Sequence, residues 1–383
     1  MDKSFIQNTL QNYDLKNLTI GVLGGHSALE VCEGAKRLGF KTLAVCQRGR
    51  EKTYDKYYKT RGAKDGAGGK SRGCIDEILL VDKFSDITLP EVQEELRKRN
   101  TIFIHNRYFW VYCDFKAIEN NFAVPIYGTR ELVRLEERDQ PGNQYEILRR
   151  AGIRLPKIFN SPAEISGPVL VKVNEATRTY ERAFFVATSP EDYETKSKKM
   201  LAEGQITEEG LKKAVIEEFI IGAQVNFNFF NSVMHGELEL MGTDARRQTS
   251  MDGFLRLNAG VQNELLEAGY TPTMIETGHF SVTIKESLVE KAFEAGEKFI
   301  KTVKELVPAG MIGPFALQGA IASENGREEI VIFDVSMRIP GSPGTRFTPY
   351  TSYLWGKEMS YGERIATEIR EAVEGGRLGE ILT

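Results

Sequence analysis

The chain has 383 residues, of which 41% are hydrophobic and 27% charged, with a formal net charge of -4. This length predicts more than one packed unit, and the composition is that of a soluble globular protein. The acidic balance argues against non-specific nucleic-acid binding, which needs a basic surface. The sequence shows neither an apolar run of about 18 residues nor an apolar leader segment after Met1, so we expect no membrane span and no secretion, and predict a cytoplasmic protein.

The four cysteines lie far apart without a C-x-x-C pair. Cys32, Cys46 and Cys113 fall within apolar runs, which predicts small buried hydrophobic side chains. We therefore expect neither a disulfide framework nor a zinc site.

The first 125 or so residues alternate strand-like and helix-like segments. The apolar run at 18–23 predicts a buried strand. Ser27, with Glu30 three residues later, predicts a capping box that starts a helix. A strand at 41–46 completes a βαβ unit. Further strands predicted at 77–81, 101–105 and 124–127 favour a doubly wound parallel sheet.

His26 lies at the first strand-to-helix turn, where open α/β sheets bind ligands. The helix start at Ser27 also favours phosphate binding. Gly24-Gly25 does not match the G-x-G-x-x-G pattern, which argues against a dinucleotide site. A segment rich in Gly, Lys and Arg between Lys56 and Cys74 predicts a flexible surface loop, with a mobile basic lid over a phosphate as the alternative.

From Gly128 the pattern changes, and antiparallel strands with longer helices are predicted. A helix at 130–150 is broken at Gln140–Asn143, and a turn at Gly222-Ala223 separates two strands. The other predicted elements are a hairpin at 168–173 and 183–187, a charged helix at 190–203, strands at 215–221, 224–230 (half-buried) and 237–242, a long amphipathic helix at 286–306 and a last helix at 361–374.

Two apolar strand-like runs near the C-terminal end each carry one polar side chain. Gln318 follows Ala316-Leu317, and Asp334 follows Ile332-Phe333. A carboxylate in such a row is costly unless it is paired or bound to a metal. The pair, with Arg338 close by, therefore predicts either a buried ion pair or a metal site.

Lys172 closes an apolar strand, where a lysine can reach nucleotide phosphates as a point charge; the alternative is a lysine that extends to solvent from a strand end. Glu217 and Glu218 follow Ile216, so strand alternation directs one carboxylate inward and one outward. Such a strand suits an adenine edge and ribose hydroxyls, and an exposed strand end is equally compatible.

A charged segment follows the predicted strand at 237–242 and contains Asp244, Arg246, Arg247, Asp252 and Arg256. Arginine binds phosphate in a bidentate manner, so the segment suits an anion site; a solvated charged loop is the alternative. The glycine-rich segment Arg338–Arg346 adds two cations beside the proposed metal strand.

The order of these features along the chain resembles the layout of the ATP-grasp ligases. The whole chain is similar to one family of them, the archaeal formate-dependent synthetases of 5-formaminoimidazole-4-carboxamide ribonucleotide (FAICAR). The stretches that carry the resemblance are 25–29 with 34–36, 82–87, 151–156, 216–222, 238–242 with Asp244 and Arg246, Asp252-Gly253, 285–288, 310–315, 333–338 and 362–366.

The resemblance implies an α/β fold, with a doubly wound, Rossmann-like pre-ATP-grasp domain at 1–127, a first ATP-grasp lobe at 128–221 and a second lobe with the metal and phosphate site at 222–383. It implies ATP and Mg²⁺ as cofactors. The implied reaction is formylation of the amine of 5-aminoimidazole-4-carboxamide ribonucleotide with formate, through formyl phosphate, in purine (IMP) biosynthesis. The partners implied are these small molecules and further copies of the chain in a homo-oligomer, and neither nucleic acid nor membrane.

The resemblance also assigns roles to residues that match the family pattern. For ATP binding these are Lys172, Glu217, Glu218, Asp244 and Arg246. For substrate binding they are His26, Ser27, Asp252, Arg256 and Thr345. Gln318 and Asp334 would bind magnesium, and Lys172 and Arg338 would act in catalysis, with Arg338 beside the transferred phosphoryl group.

The sequence departs from the family pattern at several site positions. The segment Asn174–Arg182 has no glycine where a glycine-rich phosphate loop is expected, and Arg107-Tyr108 replaces a glycine-serine turn. Glu146 stands in place of a lysine, Asp334 in place of a glutamate and Arg346 in place of a small amide. An active ligase stays the first interpretation. The departures leave open an alternative, a catalytically altered paralogue that binds nucleotide or ligates a different substrate, and a sugar-phosphate binding protein is a further alternative.

Overall fold

The computed structural model describes residues 3–62, 72–138, 140–173, 183–270, 272–324 and 326–383. Two segments singled out in the sequence lie wholly or partly outside the described residues: Asn174–Arg182, and residues 63–71 of the predicted basic loop. Within the described residues the strands form three sheets.

The first sheet is parallel, with strand order β3-β2-β1-β4-β5, and confirms the predicted doubly wound sheet. Its central strand is buried along its whole length because helices cover both faces, which explains the continuous apolar run. The elements are α1 (Lys3–Gln11), β1 (Thr19–Leu23), α2 (Ala28–Arg37), β2 (Lys41–Gln47), β3 (Glu77–Val81), α3 (Pro90–Lys98), β4 (Thr101–Ile104), α4 (Arg107–Tyr112) and β5 (Ile126–Tyr127).

The predicted capping box at the start of α2 is wrong. Ser27 has a left-handed backbone (φ 66°) and makes no side-chain cap, and its hydroxyl donates instead to the Pro340 carbonyl at 2.9 Å. The Glu30 carboxylate accepts from the backbone of Tyr361 at 3.1 Å. A tertiary contact has therefore replaced the local one.

The second sheet is antiparallel, with strand order β6-β9-β7-β8. The hairpin of β7 and β8 and the charged helix α7 agree with the prediction. The elements are α5 (Leu132–Leu135), α6 (Gln144–Arg150), β6 (Ile158–Phe159), β7 (Val169–Val173), β8 (Ala183–Ala187), α7 (Pro190–Ala202), α8 (Glu208–Lys212) and β9 (Val215–Glu218).

The helix predicted at 130–150 is two short helices. The Asn143 side chain accepts hydrogen bonds from the backbone of Tyr145 at 3.0 Å and of Glu146 at 3.3 Å, so it caps a new helix, α6, after Pro141-Gly142. This interruption leaves Arg138 in an irregular segment that faces the third sheet.

The third sheet is antiparallel, with strand order β12-β11-β10-β13-β14. The long helix α11 and the last helix α13 confirm the predictions. The elements are β10 (Gly222–Ser232), β11 (Glu237–Ser250), α9 (Met251–Phe254), α10 (Ala259–Glu267), β12 (Met274–Val282), α11 (Glu286–Leu306), β13 (Gly313–Glu324), β14 (Arg327–Ser336), α12 (Tyr350–Trp355) and α13 (Tyr361–Glu374).

Two expectations for β10 are wrong. Gly222-Ala223 is the start of the strand and not a turn, and residues 225–230 are all buried, although the alternating sequence indicated a half-buried strand. The reason is that Asn226 and Asn228 point into the protein, where both amides donate to the buried carboxylate of Asp244. Polar residues that face the protein interior therefore produce the same alternating sequence pattern as polar residues that face solvent.

Helix α13 packs closely on α2 and so joins the C-terminal residues to the first sheet. A Cβ at Gly34 would lie 2.0 Å from the backbone of Gly362, so only glycine permits this approach. All four cysteines are free and buried. The apolar runs predict this burial for Cys32, Cys46 and Cys113. Within the described residues, no helix is both long and apolar enough to cross a membrane. The domain boundaries at 127 and 221 stay a prediction.

Candidate active site

Gln318 and Asp334 lie directly opposite each other on β13 and β14, with a bulge immediately after Gln318. The Asp334 carboxylate accepts a hydrogen bond from Arg138 Nη2 at 3.1 Å, and its other oxygen lies 3.7 Å from Arg246 Nη2. Arg246 also donates to Gln318 Oε1, while Gln318 Nε2 donates to Ser336 Oγ at 2.8 Å. Both oxygen-bearing side chains are therefore held by arginines.

Lys172 and Glu217 form a buried ion pair at 2.6 Å, with side-chain exposures of 4% and 3%. Lys172 Nζ also donates to the Tyr145 hydroxyl at 3.1 Å and to the Phe333 carbonyl at 3.2 Å. Tyr145 in turn donates to the second oxygen of Glu217 at 2.7 Å. Burial, helped by Arg138 and opposed by Glu217, lowers the pKa of Lys172 to about 8.

Glu218 faces the other way, as strand alternation predicts. It accepts from the backbone of Lys157 at 3.1 Å and from Arg154 at 3.2 Å. Of the two adjacent carboxylates, only Glu217 therefore belongs to the buried network of Lys172.

Arg338 is 93% buried in the loop after β14, and its Nε lies 3.6 Å from Glu136 Oε2. That Nε has no hydrogen-bond partner within the described residues. Burial raises the pKa of Glu136 to about 7, although Arg338 and the Met337 backbone oppose this effect. A buried guanidinium with an unused donor is suited to an anionic ligand.

Asp244, His279 and Glu276 form a chain of contacts at the edge of the third sheet. The imidazole is hydrogen-bonded to Asp244 through Nδ1 and to Glu276 Oε1 through Nε2 at 2.9 Å. The other oxygen of Glu276 lies 3.2 Å from Arg246 Nε, which connects this chain to the Gln318–Asp334 pair. Burial opposes the charged ring, but the bonds to Asp244 and Glu276 outweigh it and raise the pKa of His279 to about 9.

His26 is tied to the loop that follows Arg338. Its Nδ1 lies 3.2 Å from the Ser27 hydroxyl, which donates to the Pro340 carbonyl. The Asn106 amide fixes the turn by donating to the carbonyls of His26 at 2.8 Å and Leu23 at 2.9 Å. The first parallel sheet and the third sheet thus meet at this turn.

Three predicted substrate residues make only local side-chain hydrogen bonds or are exposed, although Thr345 also packs against Gly242. Asp252 accepts from the backbone of Gln248 at 3.0 Å, Arg256 is exposed, and the buried Thr345 hydroxyl donates to the Ser342 carbonyl at 2.9 Å. Within the described residues none of the three joins the network around Asp334, and their substrate roles stay predictions.

The Arg107-Tyr108 pair stands beside the His26 turn. The Tyr108 ring covers Gly25 so closely that a Cβ there would lie 2.2 Å from the ring. It also packs edge-on against Phe84 and Tyr112, with centroids 5.2 Å apart in both cases. Tyr108 therefore fills space next to the turn, as expected from its size.

Sequence reasoning missed five residues of this site: Glu136, Arg138, Tyr145, Glu276 and His279. The scarcity of histidine, four in the chain, is the one sequence signal that could have found His279. The structure places it opposite Arg246 on the neighbouring strand. The other four lie in segments without a distinctive pattern.

The chain is closely similar to curated archaeal proteins over its full length. A protein of Methanopyrus kandleri named 5-formaminoimidazole-4-carboxamide-1-(beta)-D-ribofuranosyl 5'-monophosphate synthetase is 35% identical over 383 residues, covering 100% of both chains. The chain belongs to this FAICAR synthetase family. A family member of Methanothermobacter thermautotrophicus with the same name is 38% identical over 386 residues, covering 100% of this chain and 99% of the relative.

Two family models match separate parts of this FAICAR synthetase family member. One, described as a protein of unknown function (DUF1246), matches residues 20–159, and another, described as a domain of unknown function (DUF1297), matches residues 192–383.

Solved structures confirm the predicted ATP-grasp fold. The IMP biosynthesis protein PurP from Thermococcus kodakaraensis has a TM-score of 0.68 at 24% identity, covering 95% of this chain and 100% of that one. The N5-carboxyaminoimidazole ribonucleotide synthetase from Thermotoga maritima has a TM-score of 0.52 at 14% identity, covering 92% and 76%. At these identities the likeness concerns the fold.

Proposed function

We propose that the chain is an ATP-dependent ligase that formylates the amine of 5-aminoimidazole-4-carboxamide ribonucleotide with formate, a step of purine biosynthesis. The observation that carries the proposal is the full-length identity of 35–38% with synthetases named for the formylated product. The buried cations and the Gln318–Asp334 pair supply the groups that such a reaction needs.

The residues around Asp334 fit a magnesium nucleotide. Gln318 and Asp334 offer an amide oxygen and a carboxylate oxygen, which are ligands of the kind that Mg²⁺ accepts, with the rest of its shell supplied by phosphates and water. Bound there, the ion would neutralise phosphate charge. Arg138 and Arg246 now hold these same two side chains. Because guanidinium groups also bind phosphate, a triphosphate would draw the arginines to itself and release Asp334 and Gln318 for the ion.

Lys172 and Glu217 would hold the nucleotide from the second sheet. The ammonium group is buried and donates to Glu217, the Tyr145 hydroxyl and the Phe333 carbonyl, so a phosphate would be attracted by its charge or would replace one of these three acceptors. Glu217 has both oxygens engaged, which fixes its position at the base of the site.

The chemistry is a transfer of a phosphoryl group followed by a transfer of an acyl group. A formate oxygen attacks the terminal phosphorus of ATP to give formyl phosphate and ADP. The substrate amine then attacks the formyl carbon, and inorganic phosphate leaves with the electrons of the broken carbon–oxygen bond. Arg338 would neutralise charge on the transferred phosphoryl group, and most of the acceleration would come from positioning and electrostatics.

Phosphate release from Mg-ATP by the purified protein tests this proposal. We expect release that requires both formate and the ribonucleotide, and that falls by at least about a hundredfold in Lys172→Met. Lys198→Met is the matched control, because Lys198 is an exposed lysine that pairs with Glu194 on α7. Release that is independent of formate would contradict the proposal.

One observation favours a second candidate, the altered paralogue. Tyr108 fills the space beside the His26 turn, so a smaller or different amine is compatible with the site. Thermal stabilisation by Mg-ATP, with none added by 5-aminoimidazole-4-carboxamide ribonucleotide, would favour a different substrate. We also propose, on the family resemblance, that the protein acts as a cytoplasmic homo-oligomer divided into domains at residues 127 and 221.

A further inference from the structure

We propose that Ser27 is a positioning residue that holds His26 in the tautomer with its proton on Nδ1, so that Nε2 accepts the proton of the attacking substrate amine. The identity of the substrate rests on the proposed function. The tautomer is inferred from the hydrogen-bond donors and acceptors around Ser27 and His26.

The acceptors around the Ser27 hydroxyl determine where its proton lies. The Ser27 hydroxyl lies 2.9 Å from the Pro340 carbonyl, and a carbonyl can only accept, so the hydroxyl hydrogen is directed there. The same hydroxyl lies 3.2 Å from His26 Nδ1. With its hydrogen already used, the hydroxyl can only accept from the ring. Nδ1 therefore carries the proton, and in the neutral ring Nε2 has a free lone pair.

The backbone at His26 and Ser27 is held in one conformation. Ser27 is one of three non-glycine residues with positive φ among the described residues, an unfavourable conformation that the surroundings must impose. The Asn106 amide holds the His26 carbonyl at 2.8 Å. The backbone that carries the ring is therefore fixed without a substrate.

His26 Nε2 lies beside Gly341. Within the described residues this atom has no hydrogen-bond partner, and a Cβ at Gly341 would lie 2.2 Å from it. Any side chain at position 341, three residues after Arg338, would therefore clash with the His26 ring. Burial, together with Arg338 and Arg107, lowers the pKa of His26 to about 3, so the ring is neutral near pH 7. An anionic acyl phosphate beside these arginines would oppose their effect and make the ring more basic.

The amine nitrogen forms a bond to the formyl carbon, the bond from that carbon to the phosphate oxygen breaks, and phosphate leaves with the electron pair. The nitrogen loses one proton, which His26 Nε2 accepts to become an imidazolium. The proton passes to water when the product leaves.

The tautomer can be tested without turnover, by nuclear magnetic resonance of protein with labelled histidine nitrogens. The chain has four histidines, and the spectrum of His26→Gln identifies the signal of His26. We expect a proton on Nδ1 in the parent protein and a shift toward the Nε2-protonated form in both Ser27→Ala and Ser27→Gly. The glycine variant removes the hydroxyl while relieving the backbone. Ser250→Ala is the control, because Ser250 also has positive φ and a bonded hydroxyl.

Kinetics test the role of the ring. We expect His26→Gln to lower kcat by about 100-fold or more, with the KM for Mg-ATP unchanged. We expect Ser27→Ala to lower kcat by about fivefold. A proton on Nε2 in the parent protein, a tautomer that does not respond to Ser27, or an unchanged kcat in His26→Gln would each overturn the inference. If the parent protein does not turn over this ribonucleotide, the proposed function fails, and the nitrogen spectra still decide the role of Ser27.

Discussion

Replacement of His279 by glutamine should remove a part of the stability that depends on pH. The ring is 89% buried between Asp244 and Glu276, and its pKa rises from 6.5 to about 9 on folding. Each pKa unit corresponds to about 1.4 kcal/mol, so the protonated ring contributes at most about 3 kcal/mol. Because the folded pKa is the higher one, this contribution is complete below pH 6.5, decreases between pH 6.5 and 9, and is lost above pH 9.

The measurement is urea unfolding of the parent protein and His279→Gln at several pH values across that window. We expect a difference in unfolding free energy of about 3 kcal/mol at the acidic end and near zero at the alkaline end. His235→Gln is the control, since His235 also faces two carboxylates but is one-third exposed, and we expect a difference below about 1 kcal/mol. A difference for His279 that stays constant across the window would refute the reasoning.

Three other substitutions test the buried charges. Glu217→Gln leaves Lys172 buried without its counter-ion and should lower the unfolding free energy by about 3–5 kcal/mol, whereas the double replacement of both residues by methionine should recover most of this loss. Arg364→Met leaves the carboxylates of Glu239 and Glu368 in the core without their shared counter-ion. It should lower the free energy of unfolding, measured with urea, by about 3–5 kcal/mol. Asp334→Asn should abolish Mg-ATP-dependent phosphate release, and unchanged release would contradict the metal assignment. Without nucleotide, the same substitution should lower the free energy of unfolding by about 1–3 kcal/mol, because Arg138 loses a charged acceptor.

The spacing of hydrophobic residues and the types of the polar residues were sufficient to predict much of the fold and part of the site. The apolar runs around Gln318 and Asp334 predict two strands, and pairing then places the two side chains opposite each other. Strand alternation likewise separates Glu217 from Glu218. In these cases the local pattern and the tertiary structure agree, since a strand has only two faces.

Other parts of the site could not be predicted because they depend on contacts between distant residues. Tyr145 and Glu217 are 72 residues apart, and Arg138 and Asp334 are 196 apart. The capping pattern at Ser27 was misleading for the same reason. The Tyr361 backbone, 331 residues from Glu30, supplies a competing donor that a local pattern does not reveal.

The most direct test of the proposed reaction follows a heavy oxygen isotope from labelled formate. If ATP activates formate as formyl phosphate, one formate oxygen remains on the phosphate that leaves, and mass spectrometry should find the label in inorganic phosphate whenever the ribonucleotide is formylated. We expect one labelled oxygen per phosphate released. Formylated product accompanied by unlabelled phosphate would contradict the acyl-phosphate route, and with it the central claim.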